Sequence, residues 1–183
     1  LIVLHQMGNH GPAYYKRYPE NFERFKPACH TNELSACTSQ EIDNAYDNAI
    51  LYTDYFLAQT IALLKQNDNE FETAMMYVSD HGESLGEYGL YLHGMPNFVA
   101  PDNQRHVPVI LWLGESFDDA APEDIQAIRH QRFTHDNIFH TLLGFMEIKS
   151  DVYDERMDIL QNHTENLTRS AAFHRSPPAT ANQ

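Results

Sequence analysis

The chain has 183 residues, 42% hydrophobic, 21% charged and 11% aromatic, which suits one domain with a core of its own and is too apolar for a disordered segment. The formal charge is −14, from 26 Asp and Glu against 12 Lys and Arg. Nucleic-acid binders need cationic surface to displace counterions, so that class is excluded, and any anionic substrate must be held by local cations or a metal.

In chain order, Leu1-Ile2-Val3-Leu4 is an apolar run ending in His5-Gln6 and a Gly-containing loop. It reads as a buried parallel strand feeding a functional loop at its C-terminal end. A natural N-terminus rarely starts inside a strand, so the chain is expected to be a fragment of a longer protein. It contains no signal peptide and no apolar run near the ~20 residues of a spanning helix, and in a fragment neither observation bears on compartment. Residues 7–40 hold Gly8, Gly11, Pro12, Pro19, Pro27 and both cysteines, and they read as long irregular structure of the functional kind. Cys29 and Cys37 are close in sequence, within a loop. The residues admit a local disulfide, worth roughly 2–3 kcal/mol and implying an oxidising compartment, or two free thiols.

Glu41 to Gln66 has helical period, with Ile42, Ala45, Tyr46, Ala49, Ile50, Thr53, Phe56, Leu57, Ile61 and Leu64 on one face. Ser39 is the expected cap, and Asn67-Asp68-Asn69 the end. Ala74 to Ser79 is a second buried strand that runs into Asp80-His81-Gly82, and Val107 to Leu113 is a third. Pro122 to Arg132 is expected to be a short helix, followed by another from His135 to about Met146 capped by Thr134. After Ile148 the chain turns polar, giving a C-terminal segment over 150–183. Strand, helix, strand, loop, strand, helix is the order of an α/β sandwich, whose sites lie beyond the carboxyl ends of strands.

Histidines gather at those ends. Asp80-His81 follows the second strand, and carboxylate plus imidazole is a good zinc pair; as a plain alternative, Asp80 caps the loop and His81 is structural. His93 (Leu92-His93-Gly94-Met95-Pro96) and His10 (Asn9-His10-Gly11-Pro12) each sit beside glycine, where backbone can approach a ligand closely. A lone loop histidine is more often unliganded than not. Glu83 and Ser84 could orient the ligands or serve the loop alone. His106 could face the cleft, whereas His130, His135, His140, His163 and His174 read as surface or helix residues. Met75-Met76 reads as core. The acidic residues Asp118, Asp119, Glu123 and Asp124 read as a solvated face with helix-start charge. Asn162-His163-Thr164 and Asn166-Leu167-Thr168 match a glycosylation sequon without functional weight.

Taken together, His5-Gln6-Met7-Gly8-Asn9-His10-Gly11-Pro12, Ser79-Asp80-His81-Gly82-Glu83-Ser84-Leu85-Gly86-Glu87 and Leu92-His93-Gly94-Met95-Pro96 resemble the conserved blocks of the lipid A phosphoethanolamine transferases, the family that includes the enzymes of transferable colistin resistance. Tyr46-Asp47-Asn48-Ala49 and Val107-Pro108 fall in similar order, and the resemblance covers most of residues 1–148. Asp80-His81-Gly82-Glu83-Ser84 alone recurs across the sulfatase and alkaline-phosphatase-like superfamily; the other two blocks narrow it. The resemblance implies an alkaline-phosphatase-like α/β sandwich with a mostly parallel central sheet flanked by helices, present here as a partial domain. Residues 1–183 would be the C-terminal portion of a periplasmic catalytic domain, without its N-terminal membrane domain. It implies Asp80 and His81 as zinc ligands, His10 and His93 as catalytic and phosphate-binding residues able to hold a second zinc, and a Cys29–Cys37 disulfide. A Glu ligand and a nucleophilic Thr would lie outside this chain, leaving the isolated piece inactive.

The implied reaction takes phosphoethanolamine from phosphatidylethanolamine to a lipid A phosphate through a covalent Thr intermediate, at the periplasmic face of the bacterial inner membrane. The protein would be a monomer, reaching the membrane through the missing N-terminal region. Two other readings share Asp80-His81: a sulfatase- or phosphatase-type hydrolase of the same superfamily, and a non-catalytic metal-binding module.

Overall fold

The computed structural model describes residues 1–118, 120 and 122–161. The sequons, His163, His174, Asp119 and the polar segment from residue 162 onward lie outside the described residues. The chain divides into two compact units, one within residues 2–116 and one from Phe117 onward, and each is treated by itself.

The first unit is built on helix α1, Ser39–Asn67. Its cap is Thr38 rather than Ser39: the Glu41 N–H donates to Thr38 Oγ1, and the Glu41 carboxylate accepts from the Thr38 N–H. Thr-x-x-Glu satisfies two end donors reciprocally, which Ser39 cannot do from inside the first turn. The N-terminal half of α1 is its buried face, through Ile42, Ala45, Asn48, Ala49 and Thr53. Full burial of Ile42 alone contributes about 1.5–3 kcal/mol. Tyr14, Cys29, Ile42 and Ala45 form the core, with Leu34, Tyr46, Leu85 and Leu92 packed against it. Three hydrogen-bonding links stitch the irregular stretch ahead of α1 onto the helix. Asn48 Oδ1 accepts from the Arg24 and Phe25 N–H groups and its Nδ2 donates to the Phe25 carbonyl. Asn44 Nδ2 donates to Pro27 O, and the Cys29 N–H donates to Glu41 O. Cys29 and Cys37 are disulfide-bonded.

Strand β1 (Ala74–Val78) is followed by the short pair β2 (Ser84–Leu85) and β3 (Tyr91–Leu92), the short helix α2 (Asp102–Arg105) and strand β4 (Val109–Leu113). β1 pairs antiparallel with β4, from Ala74 opposite Leu113 to Val78 opposite Val109, and β2 pairs antiparallel with β3. The mixed α/β character is as expected, but the parallel pairing is not made among the described residues, because the strand expected to supply it does not form. Leu1–Leu4 carries no strand and its side chains are exposed. A strand requires a neighbour for its N–H and C=O groups, and none of the described residues supplies one. At the other end of the unit, Asp68 accepts from Thr73 Oγ1, Ser116 Oγ and the Glu115 and Ser116 N–H groups, tying the end of α1 to the end of β4.

The second unit contains α3 (Pro122–Ile128) and α4 (Asp136–Phe145), both shorter than expected. Its best-packed point is buried Asp158, which accepts from Tyr153 Oη and the Leu160 N–H and lies against Gly144. No helix among the described residues is long and apolar enough to cross a membrane.

Asn48→Ala should lower stability by about 2–3 kcal/mol, because it removes a fully buried side chain that holds two part-buried backbone donors and one carbonyl. Thr38→Ala removes only a cap and should cost about 1 kcal/mol. Urea denaturation of the two variants side by side measures the difference; equal losses would refute the structural weight given to Asn48.

Candidate metal and phosphate site

The first site element is the exit of β1. Ser79 Oγ donates to the His81 carbonyl, and the His81 N–H donates to Asp80 Oδ1, turning the chain sharply at the strand end. Gly82 follows because a Cβ there would run into the Asn103 carbonyl; the Gly82 N–H donates to Gln104 O. The second element is the loop ahead of α1. The His10 N–H donates to Met7 O, closing a turn, and Gly11 lies so close to Leu92 and Tyr14 that any side chain would clash. The third is the excursion after β3, which carries His93.

These three elements bring His10, His81 and His93 together, with one candidate ligand atom from each lying within 4.8 Å of the others. The rings of His81 and His93 are 3.8 Å apart between centroids, and His10 stands edge-on to both at 5.7 and 5.0 Å. The Nδ1 atoms all face oxygen acceptors. His10 Nδ1 lies 2.7 Å from Gly11 O, His81 Nδ1 3.0 Å from Gly82 O, and His93 Nδ1 3.1 Å from Glu83 Oε1. An imidazole that donates from Nδ1 has its Nε2 lone pair free for a ligand. The three side chains are thus set, by hydrogen bonding, in the tautomer that offers Nε2.

Glu83 is what the sequence undervalued. Its side chain is only 4% exposed, and it accepts from the Gly11 N–H, Tyr14 Oη and His93 Nδ1, each at 3.1 Å. Burial, and then the adjacent Glu83 charge, push the Tyr14 phenol far above its ordinary value, so Tyr14 stays protonated and donates. Ser84 is fully buried and accepts from Gln104 Nε2; it serves the loop.

Asp80 stands at the edge of the histidine group, not within it. Its carboxylate is 82% exposed, and Oδ2 lies 3.8 Å from His81 Nε2. The donor chemistry fits a transition metal, since imidazole and carboxylate are zinc ligands that sit ~2.0–2.2 Å from the ion and therefore ~3.4 Å from one another in a tetrahedron. The Asp80–His81 separation needs little adjustment to meet that figure. His5 and His106 are exposed and outside the group, and His140 accepts the Asp154 N–H. Met75 is buried, as read.

Comparisons with known proteins place the chain among sulfatase-family proteins. The family model described as Sulfatase matches residues 1–148. Phosphatidylethanolamine transferase Mcr-1 from Escherichia coli is 50% identical over 156 residues, 85% of this chain and 28% of that protein. Phosphoethanolamine transferase EptA from Escherichia coli K12 is 46% identical over 165 residues, 88% of this chain and 30% of that protein. The soluble domain of lipooligosaccharide phosphoethanolamine transferase A from Neisseria meningitidis superposes with a TM-score of 0.82 at 41% identity, covering 87% of this chain and 49% of that one. The chain thus spans less than a third of the length of these curated relatives and half of the solved domain.

Glu83→Gln should lower stability by about 1–3 kcal/mol, because only one of the Gln amide's terminal atoms accepts and at least one of the three donors on Glu83 loses its partner. Urea denaturation reads this, and unchanged stability would show that Glu83 does not hold the three segments together.

Proposed function

Since this chain belongs to the sulfatase family, we propose that it is the C-terminal portion of the periplasmic catalytic domain of a lipid A phosphoethanolamine transferase. The observation that carries the reading is the convergence of His10, His81 and His93 over buried Glu83, in a chain half identical to a phosphatidylethanolamine transferase over most of its length. The disulfide suits an oxidising compartment, here the periplasmic face of the inner membrane. The donor is phosphatidylethanolamine and the acceptor a phosphate of lipid A, the modification that confers colistin resistance. The protein acts as a monomer anchored through an N-terminal membrane domain.

Asp80 and His81 are the zinc ligands this chain contributes; the remaining ligand and the nucleophilic Thr come from residues outside it. Bound zinc supplies Lewis acidity, lowering the pKa of the attacking hydroxyl and neutralising phosphoryl charge. His10 and His93 act on the substrate. With Nδ1 committed to Gly11 O and Glu83, each ring has Nε2 left to donate a hydrogen bond or a proton to a phosphoryl or leaving oxygen. In the first step the diacylglycerol oxygen leaves and takes a proton; in the second, the phosphoethanolamine group held on Thr passes to the lipid A phosphate. Splitting the displacement in two is the gain from covalent catalysis.

In the full-length enzyme, His10→Ala and His93→Ala should each slow transfer by ~10²–10⁴ with zinc retained, whereas Asp80→Asn should lose zinc. Mass spectrometry of lipid A and metal analysis of the purified variants test both. Wild-type lipid A modification in either histidine variant would remove that residue from the reaction. Release of free phosphoethanolamine from a fluorescent phosphatidylethanolamine, with none reaching lipid A, would favour a hydrolase of the same family.

A further inference from the structure

The chain is strongly acidic, yet the loop that carries His93 has no charge. Residues 88–101 contain no Asp, Glu, Lys or Arg. Five of its larger side chains face solvent, Tyr88 at 92% and Phe98 at 88% exposure with Val99, Tyr91 and Met95, while Leu92 packs on the core. The segment makes two excursions. Tyr88 lies in the link between β2 and β3, with φ 56, and Phe98 lies in the turn closed by the Val99 and Ala100 N–H groups on Pro96 O. Gly89 and Gly94 have positive φ and open space where a side chain would go.

The roots of both excursions are fixed at the histidine group. β2 is paired to β3, Ser84 is bonded to Gln104, and Gly82 to the Gln104 carbonyl. Glu83 holds His93 between the two.

An acidic protein is repelled by an anionic membrane surface. An uncharged patch removes that repulsion locally, and exposed aromatic and apolar side chains on such a patch partition into the interfacial region of a bilayer. We infer that loop 88–101 inserts Tyr88 and Phe98 into the bilayer surface that holds the donor phospholipid, bringing the histidine group to the headgroup plane. The inference rests on the function proposed above. It assigns the loop a lipid surface as its occupant and makes Tyr88 and Phe98 determinants of the use of bilayer-presented substrate.

The test uses the full-length enzyme with two donors: long-chain phosphatidylethanolamine in vesicles with phosphatidylcholine, and a water-soluble short-chain phosphatidylethanolamine below its micellar concentration. Phe98→Ser and Tyr88→Ser should each raise KM for the vesicle donor about 10-fold, the loss expected on removing one buried aromatic. kcat/KM for the soluble donor should be unchanged. Equal loss on both donors would overturn the inference and make the loop a structural support of the site. No loss on either would also overturn it and leave the loop to a protein partner. If the wild-type enzyme uses neither donor, the underlying function fails, and that outcome is distinct from both.

Discussion

A buried carboxylate with three donors organises this molecule. Glu83 is reached by the Gly11 N–H from the loop ahead of α1, by the Tyr14 hydroxyl from the core beneath, and by His93 from the excursion after β3. Removing a carboxylate from water costs several kcal/mol unless it is hydrogen-bonded, so the three segments that satisfy Glu83 are held to one another by that cost. Tyr14 packs edge-on to Tyr46 of α1 at 5.4 Å, which connects the carboxylate to the best-buried part of the helix. The apolar core and the polar site are therefore continuous: Leu85 and Leu92, next to Ser84 and His93, pack on the same cluster as Ile42 and Ala45.

The site inherits its chemistry from that arrangement. Three imidazoles with candidate ligand atoms within 4.8 Å of one another suit a metal ion or a phosphate between them. The anchors on Nδ1 commit each ring to present one atom, Nε2, to whichever arrives. Asp80, exposed at the rim, sets its carboxylate beside His81 without placing its charge among the rings. On the proposed reading, a chain of net charge −14 can bind an anionic headgroup because imidazole and a bound metal, rather than the net charge, would set the local field at the site.

Much of this was legible in sequence, for identifiable reasons. The period of α1 and the two strands around Met75 and Ile110 follow from hydrophobic pattern. Each site histidine is followed by glycine, and that signal has a structural basis at Gly11, against the Leu92 and Tyr14 side chains, and at Gly82, against the Asn103 carbonyl. The strand expected at Leu1–Leu4 was not found, because apolar pattern reports the wish for a partner and cannot supply one. Glu83 was weighed evenly between site and loop, because a carboxylate's burial is set by residues 69 and 72 positions away, Tyr14 and Gly11. The capping box at Thr38 is readable from Glu41 three residues on, a signal that Ser39 lacks.

The central claim is that hydrogen bonds at Nδ1 preset His10, His81 and His93 to act through Nε2. Long-range 1H–15N correlation of histidine-labelled protein at pH about 8.5, where imidazole is ordinarily neutral, measures the tautomer of each ring directly. The account predicts that all three rings carry their proton on Nδ1 before metal is added, and that zinc shifts the Nε2 resonance of His81. Nε2-protonated rings at these positions in the metal-free protein would contradict it.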